Sequence, residues 1–417
     1  MIDLRNIYTS IDIGTDTIKI LVCELLRGKI NLLASSSIKS RGIKKGLITD
    51  LDEASAALKM GIDEIETKIG IRIHDVITTI PSYNVSFSVI SGVVDIFSED
   101  GIIRGTDIER VLQQGMKIDE VNLEMVTIIP ISFTIDGKEI VRDPKGKAGK
   151  ILESKSVLVT TPSKNIYAVM KLLEKCGLEA VDISIGGICD MQALKTSALD
   201  GKIGAIVNIG SETTTISIYN KGIIVRNKII ELGGKAIDND IAYIYKTSMV
   251  EAKKLKEKFA IASKKYASPS DIYDLIAEDG KVVKVTQQEI SEIVNARLED
   301  LFASIKKELG LLANRGIEYV LFTGGTSNLP YLEYFINDVF GDMAKIARTN
   351  IIGLRNNKYS TCLGNIVYYL GKQKLKGEMV SMIDDEDEGN LSSMKKNLLN
   401  ISNESVLGKV AGYFFGE

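Results

Sequence analysis

Two stretches of this 417-residue chain, SIDIGTDTIKI at 10–20 and NIGSETTTISI at 208–218, share one layout: an apolar strand, a glycine followed by hydroxyl residues, and an apolar outgoing strand. Asp12 and Asn208, the polar residues closing the two incoming strands, lie 196 positions apart. The repetition implies a duplicated fold with one ligand held between its halves. In both places the turn joins strand to strand, which argues against a Rossmann or Walker loop, where a helix follows the glycines.

The residue types in these turns suit phosphate. Gly14 lets the backbone approach a ligand closely, Thr15, Asp16 and Thr17 add polar groups, and Lys19 follows on the outgoing strand. Backbone N–H groups and hydroxyls would take the oxygens, the lysine the charge, and Asp12 would hold magnesium through water. Gly210, Ser211, Thr213 and Thr214 form the matching cradle. A third element, FTGGTSNLP at 322–330, ends a strand on Gly324 and Gly325. Pro330 is expected to start a helix whose N-terminus points at the same ligand.

Composition removes several alternatives. Lys and Arg number 52 against 55 Asp and Glu, a formal charge of −3, which leaves no basic excess for nucleic acid. Cys23, Cys176, Cys189 and Cys362 are scattered, and His74 is the single histidine. No disulfide framework or zinc site is expected, and a reducing cytoplasm is the natural setting. With one histidine and neither G-x-S-x-G nor H-E-x-x-H, acyl-transfer triads and zinc hydrolysis lack their parts. The opening residues MIDLRNIYTSIDIG carry early charges and no apolar core, so no secretory signal is expected, and no apolar run reaches 18 residues.

Along the chain, alternation over 7–33, broken at RGK, predicts a hairpin, followed by a helix over 50–69 capped by Thr49 or Asp50 and a strand over 74–80. From Pro81 to about Thr161, short strands surround one polar helix, which reads as an inserted α+β module. Helices over 163–177 and up to about 199, with a strand near 179–184 between them, resume the α/β alternation. Helices dominate 235–315 around a hairpin in DIYDLIAEDGKVVKV, and a strand covers 319–325. Residues 381–417 carry seven acidic and three basic residues; their acidic, polar first part reads as a flexible linker.

Taken in order, the three turns resemble the phosphate-1, phosphate-2 and adenosine motifs of the actin, sugar-kinase and heat-shock-chaperone superfamily, over roughly residues 5–372. Within that span SRGIKKGLITDLDEASAAL, IPISFTIDGKEIVRDPKGKAGKIL and LGGKAIDNDIAYIYKTSMVEAKKLKEKF are similar to the bacterial cell-division FtsA family. The resemblance implies an α/β, duplicated actin-like (ribonuclease-H-like) fold, with two lobes around a nucleotide cleft and an inserted α+β subdomain in the first half. Its divisions would be subdomain 1A at 1–83 and 162–200, 1C at 84–161, 2A at 201–242 and 310–380, and 2B at 243–309. A linker at 381–403 and an amphipathic helix at 404–417 would follow.

The resemblance also implies ATP and Mg2+ as ligands. Asp12, Gly14, Thr15 and Lys19 would contact phosphate and water-bound magnesium. Gly210, Ser211 and Thr213 would hold the β- and γ-phosphates from the other side. Gly324, Gly325 and Thr326 would pack on adenosine, Lys256 and Glu257 on adenine and ribose, and Gly233 and Gly234 would shape the same pocket. Two positions bear on catalysis: Gln192 as a residue positioning the attacking water, and Asn208, where the superfamily usually has Asp. An amide is no anionic anchor for the metal shell, so hydrolysis is expected to be slow or absent.

Val406, Leu407, Val410, Ala411, Phe414 and Phe415 would share one face of a terminal helix, which implies a membrane anchor that grips weakly alone and firmly in a filament of identical subunits. Members of the family tether FtsZ through its C-terminal peptide. Arg297, in QQEISEIVNARLEDLF, matches a family position that meets the peptide's carboxylates, while Glu289 stands where a basic residue is often found. The expected function is therefore an ATP-binding, filament-forming tether for FtsZ at the inner face of the cytoplasmic membrane. The competing readings are a sugar-kinase-like phosphotransferase and a PilM-like pilus-assembly adaptor.

Overall fold

The computed structural model describes residues 6–116, 118, 122–313, 316–377 and 381–382. The alternating aliphatics of the first stretch form three antiparallel strands, β1 (Asn6–Ile13), β2 (Thr17–Leu26) and β3 (Lys29–Lys39). Arg27 and Gly28, both at positive φ, turn β2 into β3 as the twist of a two-residue hairpin requires. A small hairpin of β4 (Ile43–Lys44) and β5 (Leu47–Ile48) leads to α1 (Leu51–Ile69). Asp50 caps α1, its side chain accepting from the amides of Asp52 and Glu53. The strand β6 (Asp75–Ile80) then pairs with β1 in parallel.

The inserted module consists of β7 (Ser86–Asp95), α2 (Gly105–Gln114), β8 (Leu123–Ile135), β9 (Glu139–Val141) and β10 (Ile151–Pro162), with sheet order β7-β10-β8-β9. After it come α3 (Ser163–Lys175), β11 (Glu179–Ile185), which joins β6 in parallel, and α4 (Gly186–Leu194).

The second half begins with another antiparallel trio, β12 (Ile203–Ile209), β13 (Thr214–Asn220) and β14 (Ile223–Ile230). Then follow α5 (Lys235–Tyr245), α6 (Met249–Lys258), the hairpin β15 (Ile272–Ile276) and β16 (Val282–Thr286), and α7 (Gln287–Leu312). The strand β17 (Tyr319–Thr323) pairs with β12 in parallel, and α8 (Leu332–Phe340), β18 (Ala344–Ile346) and α9 (Ser360–Lys376) are the last elements among the described residues. The first sheet runs β3-β2-β1-β6-β11 and the second β14-β13-β12-β17-β18. The order is the same, three antiparallel strands and then two parallel ones, so the duplication read from the two turns is a duplication of whole sheets. This is the actin-like two-lobed α/β fold.

Each half lends a helix to the other. Leu363, Ile366 and Tyr369 of α9 pack with Tyr8, Leu21 and Ile77 of the first sheet. In return, α4 lies on the second sheet, where the Tyr219 hydroxyl donates to the Gly187 carbonyl at 2.6 Å. The two helices cross at Gly364, where a Cβ would fall 1.7 Å from the Cys189 carbonyl oxygen.

Three expectations change. The helix drawn to about 199 ends at Leu194, because Lys195 and Thr196 turn extended before a single 3-10 turn at Ser197–Leu199. The helix expected at Pro330 starts at Leu332, after a 3-10 turn at Gly325–Asn328. Leu329, preceding proline, is held extended, Tyr331 is left-handed at φ 62, and the Pro330 carbonyl accepts from the Ala262 amide instead of a helical donor. No α-helix N-terminus therefore follows Gly325 directly. Lastly, the first two residues of the expected linker are packed: Met382 is 5% exposed beside Tyr8 and Tyr369, its amide donates to the Ile7 carbonyl at 3.0 Å, and Ser381 Oγ accepts from the Ile7 amide at 3.2 Å. The remaining linker and the terminal helix, with Val406, Leu407, Val410, Phe414 and Phe415, lie outside the described residues. Among those described, no helix is long and apolar enough to cross a membrane.

Candidate nucleotide cleft

The first turn is built by strand pairing. Asp12 and Lys19 are cross-strand partners in the β1–β2 register, and Lys19 Nζ meets Asp12 Oδ2 at 2.9 Å. Gly14 permits this: a Cβ there would lie 2.6 Å from Lys19 Nζ. Burial alone would lower the Lys19 pKa, but the charge and hydrogen bond of Asp12 outweigh it and the net direction is up, so Lys19 stays an ammonium. Thr79 Oγ1 donates to the other Asp12 oxygen at 3.3 Å. The Gly46 amide donates to Thr15 Oγ1 at 2.8 Å, so the β4–β5 hairpin is pinned against the turn.

The second and third turns are knitted together. The Gly210 amide donates to the Thr213 carbonyl at 2.9 Å and closes its own turn, so that amide is spent internally. The Gly210 carbonyl accepts from the Gly234 amide at 3.0 Å and from Thr326 Oγ1 at 2.9 Å. Gly233 and Gly234 are both required, because a Cβ would fall 2.5 Å from the Ser211 carbonyl at the first and 2.3 Å from Thr326 Oγ1 at the second. Gly324, at φ 91, lies against Asn208 Oδ1, whereas Gly325 has open space where a Cβ would stand.

These turns face one another across a cavity of about 570 Å³. Its walls include Asp12, Gly14, Thr15 and Lys19 from the first half and Asn208, Gly210, Ser211, Thr213, Gly234, Gly325 and Thr326 from the second. Lys256 and Glu257 of α6 also line it. Lys256 is engaged, 2.7 Å from Asp238 and donating to the Gly234 carbonyl at 3.0 Å. Gly233 and Gly324 stand just behind the wall as spacers. Gln192, on α4, is not among the lining residues.

Several side chains that spacing did not single out complete the site. Lys253 of α6 reaches Asp16 at 2.5 Å. Lys45 spans the same gap: its amide donates to Glu212 Oε2 at 2.8 Å and its Nζ to Glu231 at 2.5 Å. Beneath the floor lies Asp190, which accepts from Asn208 Nδ2 at 2.7 Å and from Thr361 Oγ1 at 2.8 Å. Burial pushes its pKa up to about 6 despite those two donors. One acid in the mostly apolar run GGICDMQAL was the sequence signal for it. The cleft can thus hold an elongated anionic ligand: lysines and hydroxyls at one end, a water-accessible carboxylate at Asp12, and bare glycine backbone at the other.

Arg297 lies on α7, away from the cleft walls. Its guanidinium forks onto Asp240, Nε to Oδ2 at 2.6 Å and Nη2 to Oδ1 at 2.7 Å. Glu289 is the third residue of α7 and accepts from the Thr286 amide at 2.8 Å in a capping box, which gives that acid a structural reason to be there.

Comparison with known proteins places this architecture. A family model described as "Cell division protein FtsA" matches residues 205–364, and one described as "SHS2 domain inserted in FTSA" matches residues 83–160. Cell division protein FtsA of Streptococcus pneumoniae is 30% identical over 361 residues, covering 85% of this chain and 78% of its own. The Bacillus subtilis protein of the same name is 27% identical over 380 residues, covering 90% and 86%. Among solved structures, the PilM-PilN type IV pilus biogenesis complex aligns with a TM-score of 0.59 and 14% identity, over 88% of this chain and 98% of that one. MreB5 of Spiroplasma citri bound to ADP aligns with a TM-score of 0.55 and 14% identity, over 89% and 98%. At that identity both structures speak for the fold alone.

Proposed function

Because this chain belongs to the FtsA family of cell-division proteins, we propose that it is an ATP-binding, filament-forming tether that holds FtsZ at the inner face of the cytoplasmic membrane. The observation that carries the nucleotide part is the cavity itself, walled by all three glycine turns in their superfamily order, with Asp12 and Lys19 paired at its phosphate end. Asp12 would hold magnesium through water, Lys19, Ser211 and Thr213 the phosphates, and Gly325 and Thr326 the adenosine. ADP in the structure of MreB5, a protein of the same fold, supports a nucleotide in this cleft. Turnover is assigned a minor part, since Asn208 replaces the strand-end carboxylate. FtsZ would dock by its C-terminal peptide near Arg297, copies of the chain would join into filaments, and the apolar stripe of the terminal segment would bind lipid.

One experiment tests the assembly of these parts: sedimentation with anionic liposomes and an FtsZ tail peptide, with and without Mg-ATP. Co-sedimentation of protein and peptide, lost on deletion of residues 404–417, is the expected result. Equal sedimentation after the deletion would refute the anchor, and failure of a fluorescent ATP analogue to bind would refute the nucleotide.

A further inference from the structure

Asn208 stands where the superfamily usually carries a carboxylate, and a carboxylate lies directly behind it. Asp190 is 2% exposed and meets Asn208 Nδ2 at 2.7 Å and Thr361 Oγ1 at 2.8 Å; Asn208 Nδ2 also donates to Thr361 Oγ1 at 3.3 Å. An ionised carboxylate only accepts, so the end of Asn208 that faces it must be the NH2 group. The amide is thereby prevented from flipping. Its carbonyl oxygen is the other end, lying against the backbone of Gly324, where a Cβ would come within 2.3 Å of it, and Asn208 itself lines the cleft.

The geometry points to Asp190 as a positioning residue that fixes the Asn208 carbonyl toward the phosphate end of the cleft, so that the two side chains act as one acceptor. The charge sits behind the wall and the oxygen in it. This rests on the nucleotide reading above, in which that oxygen would receive a hydrogen bond from the water shell of a phosphate-bound cation. An amide oxygen polarised through its NH2 by a buried anion is a stronger acceptor than an isolated one. It also predicts that the single change back to the superfamily residue will not restore the site: Asn208→Asp would set two carboxylates at hydrogen-bond distance, forced to share one proton. Exchanging both residues moves the charge forward and the amide back.

A cycle on the full chain tests this. In nucleotide-free protein, Asn208→Asp is expected to lower Tm by more than about 3 °C, and Asn208→Asp with Asp190→Asn to recover most of the loss. Wild-type Tm for Asn208→Asp, or a double variant that loses the sum of both singles, would overturn the coupling, and neither result depends on nucleotide. The second arm reads the gain in affinity that magnesium gives a fluorescent ATP analogue. Asp190→Ala should shrink that gain severalfold and Asp190→Asn, whose carbonyl can still receive the Asn208 amide, should keep part of it. An unchanged gain in Asp190→Ala would overturn the positioning role. If wild type binds no analogue, the nucleotide reading falls and this role in the cleft falls with it, while the melting cycle still reports the pair.

Discussion

Lys253 of α6 and Asp16 of the first glycine turn form a 2.5 Å ion pair that bridges the two walls of the cleft. Both side chains are about one-third exposed, 31% and 34%, so the pair contributes no more than about 1 kcal/mol to stability. Its importance lies in what it occupies, since a phosphate bound there would have to compete with Asp16 for the lysine. Opposite effects of the two halves of the pair follow. Asp16→Ala releases Lys253 and should tighten binding of an ATP analogue severalfold, whereas Lys253→Ala should weaken it by a similar factor. Tm should move by little in either. Fluorescence titration checks this, and loss of affinity in both variants would reject the competition.

The two adjacent glycines of the third turn should fail differently. A side chain at Gly325 meets open cavity, so Gly325→Leu should fold with near-native Tm and lose analogue binding. A side chain at Gly324 meets Asn208 Oδ1 at 2.3 Å and the Ile209 carbonyl at 2.6 Å, in a backbone at φ 91. Gly324→Ala should therefore destabilise the protein itself, by about 1–3 kcal/mol. Thermal melts beside binding curves separate the two.

Arg297 spends its fork on Asp240 and has a 3.4 Å contact with Asp300 besides. A peptide carboxylate seeking Arg297 must displace Asp240. Asp240→Ala should thus strengthen capture of an FtsZ tail peptide, by about 1 kcal/mol or fivefold. Arg297→Glu, which groups three acids, should abolish it. Peptide affinity that is the same in both variants would remove Arg297 from the docking surface.

Asp190 gives the protein a pH signature. Burial raises its pKa in the folded chain to about 6, from an ordinary 3.8, against the lowering by Asn208 and Thr361. The folded state therefore takes up this proton first as pH falls. Stability from this group is fully present below pH 3.8 and is lost as pH rises through 6, a span of about 3 kcal/mol at most. The unfolding free energy of wild type minus that of Asp190→Asn should increase between pH 7 and 4.5. A difference that stays flat over that range would mean Asp190 does not titrate there.

What the sequence disclosed, and what it hid, divides by the range of the interaction. Asp12 and Lys19 were legible because a hairpin makes them direct partners seven positions apart. The matching sheets were legible because the same turn occurs twice. Asp190 was not, since its contact with Asn208 depends on how α4 crosses α9 and lies on the second sheet, a packing set by Gly187 and Gly364 far from either turn. Gln192, two residues on in the same helix, matches the superfamily only by its place in the helix before the second turn, and it lies off the cleft wall. The start of α8 is hidden for a similar reason: proline chemistry favours a helix start at Pro330, but its carbonyl is taken by Ala262 from another segment.

Met382 is buttoned onto the start of β1, the strand whose other end carries Asp12. A pull on the chain beyond residue 382 would reach Ile7 through these contacts, at the start of an eight-residue strand whose far tip is in the cleft. A tail fastened elsewhere would tug on the very rod that carries Asp12, so that an anchorage there and the occupancy of the cleft would be two ends of one lever.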